Sequence, residues 1–206
     1  LIYADAGVTS AKVAKFSAKQ GKRGAEFLAG IPGTVGGALA MNAGCHGGET
    51  WYIVNKVLTI DKHGKLHTRD REEFVATYRH LEMPAKNEWF IGAWFELPNG
   101  SAAEAELTIK NLLAKRLATQ PLNLPNAGST FRNPEGDYAA RLIEACGLKG
   151  HRIGGAQVSE KHANFIVTSP GATAADVEQT IALMRDTVKE KFGIELQQEV
   201  RVIGEK

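Results

Sequence analysis

Ser129 sits in the run NAGSTFRNP, just after Ala127 and Gly128, two small residues that let the backbone turn tightly and leave the hydroxyl uncrowded. An exposed, positioned hydroxyl can give or take a proton, although AGS followed by Asn-Pro is also a plain turn signal. Near the end of the chain, EVRVIG alternates Glu199 and Arg201 with apolar residues, which sets a carboxyl group beside a guanidinium. The same alternation also fits a solvated strand face. Arg79, preceded by Tyr78, offers a second cation with a packing neighbour.

A third feature is GIPGTVGGALAMNAG at residues 30–44, where Gly30, Gly33, Gly36, Gly37 and Gly44 alternate with small alanines. Such a run lets a ligand approach the backbone closely, and a helix opening at Gly36 would turn free amides toward an anion such as a pyrophosphate. Tight helix packing explains clustered glycine and alanine equally well. The spacing matches neither the dinucleotide fingerprint G-x-G-x-x-G nor a Walker loop.

These residues need elements to hold them. Residues 1–4 read as a strand, and Ser10 is placed to cap a helix that buries Val13 and Phe16 and stops at Gly21. Residues 51–60 read as a strand sent into a hairpin by Lys62, His63, Gly64 and Lys65, and residues 70–74 as a short helical turn. Residues 90–97 are apolar enough for a central strand, and residues 101–118 form the clearest helix of the first half. The prolines at 121 and 125 end that helix, which divides the chain into domains 1–120 and 121–206.

In the second domain, Asp137 is expected to cap a helix whose Ala139, Leu142, Ile143 and Cys146 share a face, closed by Gly147. Residues 164–168 read as a strand. Thr173 and Asp176 resemble a capping box for a long helix with an apolar stripe of Val177, Ile181, Met184, Val188 and Phe192, closed by Gly193. A last strand from Ile194 would turn Leu196, Val200 and Val202 to the core and Glu199 and Arg201 to a cleft.

The chain has 206 residues, 43% hydrophobic and 23% charged, which suits one large or two small globular domains. The net charge of +2 is too small to argue for nucleic acid, and no apolar run approaches the ~20 residues that span a bilayer. Cys45 and Cys146 form no C-x-x-C and are expected as reduced thiols; the six histidines form no metal-ligand motif, so no metal is expected. No basic-then-apolar leader opens the chain, and a cytoplasmic location is expected. Leu1 is not an initiator methionine and opens directly into a strand, which suggests a fragment with something upstream. There is no internal repeat or low-complexity segment, and nothing in the pattern specifies an oligomeric state.

Five blocks in order, namely residues 30–44, Tyr78-Arg79, NAGSTFRNP, GLKGHRIGGAQVSEKHANFIV and EVRVIG, closely resemble the UDP-N-acetylenolpyruvoylglucosamine reductases of bacterial peptidoglycan synthesis. The resemblance implies an α+β fold, the second half of a vanillyl-alcohol-oxidase-type FAD-binding region followed by a small α+β substrate-binding domain. It implies an oxidoreductase that uses FAD to carry a hydride from NADPH to the enolpyruvyl ether of UDP-N-acetylglucosamine enolpyruvate. Ser129 would protonate the α-carbon, while Glu199 and Arg79 would hold and polarise the substrate carboxylate, with Arg201 a candidate cation beside Glu199. Ile31, Pro32, Gly33, Thr34, Gly37, Ala38, Asn42, Ala43 and Gly44 would cradle the flavin. Asn133, His162 and Arg116 would contact the substrate and its diphosphate; a plain surface histidine and a solvated helix charge are the other readings of the last two.

The family carries an N-terminal flavin-binding domain with a glycine-serine-asparagine turn, and this chain begins after it. Residues 95–120 leave no room for the long tyrosine-bearing insertion of one branch, so the chain resembles the shorter branch. Two other readings remain: another flavin oxidase or dehydrogenase of the same superfamily, and a non-catalytic fragment that binds a UDP-sugar.

Overall fold

The structure, a computed structural model, describes residues 1–204 and divides into two compact units, Leu1–Arg116 and Leu117–Lys206. The division falls in the last turns of a helix, ahead of the proline run at residues 121–125.

The first unit opens with β1 (Ile2–Asp5) and α1 (Ser10–Lys19). The helix buries Ser10, Val13, Ala14, Ser17 and Ala18, an i, i+3, i+4 stripe that leaves Phe16 off the core face and 53% exposed. Thr9, not Ser10, occupies the N-cap, and the Ser10 hydroxyl is buried without a hydrogen-bond partner. A 3-10 turn, Glu26–Gly30, leads to α2 (Val35–Ala40) and to the hairpin β2 (Gly44–Cys45) and β3 (Gly48–Glu49). His46 and Gly47 join these two strands with φ of 53° and 84°, the left-handed pair that a two-residue turn matched to strand twist requires.

Next come β4 (Val54–Asp61) and β5 (Leu66–Asp70), joined at residues 62–65 as the sequence predicts. A register irregularity between Val54 and Lys56 shifts the alternation by one, so Val57 and Thr59 reach the core rather than Lys56 and Leu58. A 3-10 turn, Arg71–Glu73, carries a capping box between Asp70 and Glu73. It leads to the hairpin β6 (Val75–Thr77) and β7 (His80–Glu82), which the sequence does not predict, and then to β8 (Glu88–Phe95) and α3 (Ala102–Thr119). The main sheet runs β1-β8-β4-β5, antiparallel throughout, and places β8 between β1 and β4. Trp51 is fully buried at its base, its indole N–H donating to the Leu39 carbonyl at 2.8 Å and its ring 4.6 Å from that of Phe74.

The second unit has its own core around Phe131, Leu142, Ile143, Met184 and Val188. Its sheet is built from β9 (Asn126–Ser129), β10 (Arg152–Ile153), β11 (Ala156–Val158) and β12 (Phe165–Thr168) in the order β10-β11-β12-β9, all antiparallel. It packs against α4 (Ala139–Ala145) and α5 (Ala174–Phe192). The capping box of α5 forms as expected: the Thr173 hydroxyl accepts from the Asp176 amide at 3.2 Å, and the Asp176 carboxylate accepts from the Thr173 amide at 3.0 Å. Gly193 ends α5 with φ 70°. Asp137 does not cap α4; the N-cap position belongs to Tyr138, and the first helical amide, that of Ala139, donates to the Asn133 side chain at 3.1 Å.

Among the described residues no helix is long and apolar enough to cross a membrane. Cys45 and Cys146 are both free thiols.

Candidate active site

In the first unit, candidate residues gather where α2 runs into β2. Asn42, 1% exposed and at φ 43°, spends its whole side chain there. Its Oδ1 accepts from the Trp51 amide at 3.1 Å, and its Nδ2 donates to Glu49 Oε2 at 2.8 Å and to the Thr77 carbonyl at 3.0 Å. Thr77 ends β6, and Tyr78 and Arg79 form the two-residue turn into β7. Arg79 holds φ 54°, and its Nη2 donates to the Gly44 carbonyl at 2.7 Å while the guanidinium lies 5.0 Å from the Tyr78 ring centroid. The residue thus pairs with the glycine-rich segment that the sequence singles out.

The glycines of that segment divide into two groups. A Cβ at Gly36 would come within 3.1 Å of Ala6, and one at Gly44 within 2.4 Å of the Gly48 carbonyl, so these two are explained by packing. Gly33, at φ 94°, has nothing within 4 Å of such an atom, and Gly37 meets only the Thr34 hydroxyl at 4.0 Å. Pro32, Gly33, Thr34 and Gly37 are exposed, Ala43 and Gly44 half-buried, and Ile31, Ala38 and Asn42 buried. The picture of free amides at the start of α2 needs correction: the Val35 and Gly36 amides donate to the Val8 and Ala6 carbonyls, both at 2.9 Å. Close approach to the open edge at Gly33 and Gly37 is what the segment offers a dinucleotide, and the residues fit one on that basis.

Positive charge collects beside it. Burial holds the Cys45 thiol above its ordinary pKa, and Arg116 and Arg79 act against that rise. Burial also lowers the pKa of His46, helped by the charges of Lys115 and Arg116. Arg116, half-buried on α3, therefore shares a neighbourhood with Arg79, and Lys115 adds a cation that the sequence reading does not single out. Its signal was the Lys-Arg pair near the end of an otherwise alanine-rich and leucine-rich helix.

In the second unit, Ser129 is half-buried as the last residue of β9, paired with Phe165 of β12. The tight turn before it is real but lies inside a bulged strand: Gly128 has φ 81° and its amide donates to Asn126 Oδ1 at 2.9 Å. The next residue, Thr130, offers its carbonyl to the Glu199 amide at 2.8 Å. Ser129 and Glu199 are thereby brought together through one backbone bond. The strand expected from Ile194 onward does not form; an isolated bridge between Gln198 and Phe131 and a bond from the Arg132 amide to the Gln197 carbonyl at 2.8 Å replace it. The alternation fails with it, for Glu199 is half-buried whereas Arg201 and Val202 are exposed. The physical reason is that β9 is the edge strand and ends at Ser129, so residues 197–200 meet only Thr130, Phe131 and Arg132 beyond it, too short a stretch for a ladder.

His162 is half-buried, its ring 4.8 Å from that of Phe165, and burial lowers its pKa. Its Nδ1 accepts from the Asn164 amide at 3.3 Å, which fixes the neutral tautomer with Nε2 as donor. Asn133 is exposed, with its carbonyl oxygen occupied by Ala139. A cavity of about 500 Å³ opens in this unit between β9, β12, α5 and residues 200–203. Thr130 and Arg201 line it but Ser129 and Glu199 do not, so it is not the place where those two side chains meet a ligand.

The first unit belongs with a flavin-binding class of domain, and a separate α+β unit follows it in the chain. A model of an FAD binding domain matches residues 1–69, and one described as UDP-N-acetylenolpyruvoylglucosamine reductase, C-terminal domain, matches residues 120–203. The chain is 59% identical to the UDP-N-acetylenolpyruvoylglucosamine reductase of Nitrosospira multiformis over 99% of its length and 65% of that protein's. It is 57% identical to that of Methylococcus capsulatus over 99% of its length and 67% of that protein's. A crystal structure of UDP-N-acetylenolpyruvylglucosamine reductase from Thermus caldophilus matches with a TM-score of 0.84 at 32% identity, over 96% of this chain and 71% of that one. The chain belongs to the UDP-N-acetylenolpyruvoylglucosamine reductase family. It spans about two thirds of the length of the curated relatives it matches.

Proposed function

We propose that this protein reduces UDP-N-acetylglucosamine enolpyruvate to UDP-N-acetylmuramate with FAD and NADPH, a cytoplasmic step of peptidoglycan synthesis. The observation that carries this reading is the Ser129, Thr130 and Glu199 arrangement, in which the backbone of a hydroxyl-bearing residue and that of a carboxyl-bearing residue are tied through the Thr130 carbonyl and the Glu199 amide. Family membership adds the reaction, and the open edge at Gly33 and Gly37 adds a surface that fits the cofactor.

FAD, when bound, supplies the hydride drawn from NADPH to the β-carbon of the enolpyruvyl group. Pro32, Gly33, Thr34 and Gly37 would hold it, with Ile31, Ala38, Asn42, Ala43 and Gly44 supporting the turn. Arg79 grips the substrate carboxylate, and Glu199 shares a proton with it, so that negative charge developing over the carboxylate meets a fixed cation and an acid. Ser129 then gives its proton to the α-carbon, which completes addition of hydride and proton across the carbon-carbon double bond. Asn133, through its side-chain nitrogen, His162, through Nε2, and Arg116 contact the substrate and its diphosphate.

The test is optical. A yellow protein bleached by NADPH without oxygen, whose colour returns on adding the UDP-sugar enolpyruvate, supports the reading. Bleaching that the UDP-sugar does not reverse favours another flavin oxidase or dehydrogenase, and a colourless protein that binds the UDP-sugar favours a non-catalytic module.

A further inference from the structure

We propose that Asn164 is the positioning residue for Ser129 and Glu199, an inference that rests on the functional reading above. Asn164 is 3% exposed and stands immediately before β12. Its side chain makes two bonds to one residue: Oδ1 accepts from the Phe131 amide at 3.0 Å, and Nδ2 donates to the Phe131 carbonyl at 2.8 Å. Its own carbonyl accepts from the Thr130 amide at 2.8 Å. The β9–β12 ladder reaches Ser129 opposite Phe165 and there meets Asn164, whose primary amide does what a strand residue would do for Phe131.

The other side of the same segment carries Glu199. The Thr130 carbonyl takes the Glu199 amide at 2.8 Å, Phe131 bridges Gln198, and the Arg132 amide reaches the Gln197 carbonyl. Residues 130 and 131 are thus a short rail with Asn164 on one edge and the Glu199 segment on the other. Phe131 is 1% exposed, so water does not replace the two side-chain bonds if they are lost. Asn164 acts not on reacting atoms or cofactor but by fixing the backbone that carries Ser129 and Glu199. Its amide also donates to His162, which ties the same residue to a proposed substrate contact.

The experiment uses Asn164→Ala, the isosteric Asn164→Asp, which keeps the acceptor for Phe131 but loses the donor, and Ser129→Ala, all in the FAD-loaded enzyme. The two half-reactions are followed separately by stopped flow, and backbone deuterium exchange is read over residues 129–132, 197–200 and 181–188. The expected result is NADPH-dependent flavin reduction within about twofold of the parent, substrate reduction slowed by about 10²-fold, and faster exchange at 129–132 and 197–200 but not at 181–188. Asn164→Asp is expected to show the same split, and parental exchange at 181–188 reports that either variant has kept its fold. Parental substrate reduction in both Asn164 variants, with Ser129→Ala slow, overturns this inference alone. Equal loss of both half-reactions with faster exchange everywhere reduces Asn164 to a structural residue and also overturns it. Parental substrate reduction in Ser129→Ala overturns the functional reading and this inference with it.

Discussion

The guanidinium of Arg79 donates to the carbonyl of Gly44 at 2.7 Å, joining the proposed carboxylate-binding cation to the end of the glycine-rich segment. Arg79 also occupies the left-handed region, uncommon for a residue with a long side chain. The surrounding bonds over-determine it: Asn42 holds Thr77 on one side of the turn, and β7 pairs with β6 on the other.

Arg79→Lys is therefore expected to be far from conservative. A lysine offers a point charge that cannot serve both the Gly44 carbonyl and a planar carboxylate. Substrate reduction should slow by about tenfold or more while flavin reduction is spared, as measured by stopped flow. Equal rates in both half-reactions would remove Arg79 from the proposed site.

Ser129→Ala should leave flavin reduction by NADPH intact and slow substrate reduction by roughly 10²-fold to 10⁴-fold, the range for loss of a general acid. The hydroxyl is half-buried at a strand end, so its removal should leave the melting temperature nearly unchanged. A change in stability without a change in rate would identify a structural serine.

Asn42→Ala tests the turn that holds Arg79. The substitution leaves the buried Trp51 amide without its side-chain partner and removes bonds to Glu49 and to the Thr77 carbonyl, at an expected cost of roughly 2–4 kcal/mol in denaturant unfolding. A cost below about 1 kcal/mol would mean that the turn is held by its neighbours instead.

Glu88 gives the main sheet an acid-sensitive bond. Its side chain is 4% exposed, and Arg69 donates to it at 2.5 and 3.1 Å. The Arg69 hydrogen bond holds the Glu88 carboxyl below its ordinary pKa of 4.5 against the opposing effect of burial. A lowered folded pKa means that this contribution is complete above the unfolded value and is lost as pH falls through the folded one. Glu88→Gln should lower stability at pH 7 and flatten the loss between pH 5 and pH 3, seen in urea midpoints across that range. An unchanged acid limb would assign the pH dependence to other carboxyls.

How far the sequence led depended on whether each signal was local. The capping box at Thr173 and Asp176, the left-handed closure at Gly193 and the hairpin at residues 62–65 are set by residues a few positions apart, and all are legible. The terminal strand was misread because alternation alone cannot tell a paired strand from an extended segment anchored at one bridge; Arg201 left the expected face for that reason. Gly36 and Gly44 looked like ligand glycines until their neighbours Ala6 and Gly48 were in place. Ser129 is singled out by its turn, whereas Asn164, which braces the residues after it, reads in sequence as one polar residue before an apolar strand.

The pairing of β1 with β8 also governs the order in which the chain can assemble. Ile2 lies opposite Phe95, so the first strand cannot find its partner until roughly ninety further residues have left the ribosome. At synthesis rates of about 5–20 residues per second, that is a wait of several seconds. During it, Ile2 and Ala4, both in the mature core, are without their sheet. The β4–β5 hairpin needs no such delay, so the main sheet should grow from its β5 edge and admit β1 last, making that strand the one most dependent on protection from premature association during biogenesis.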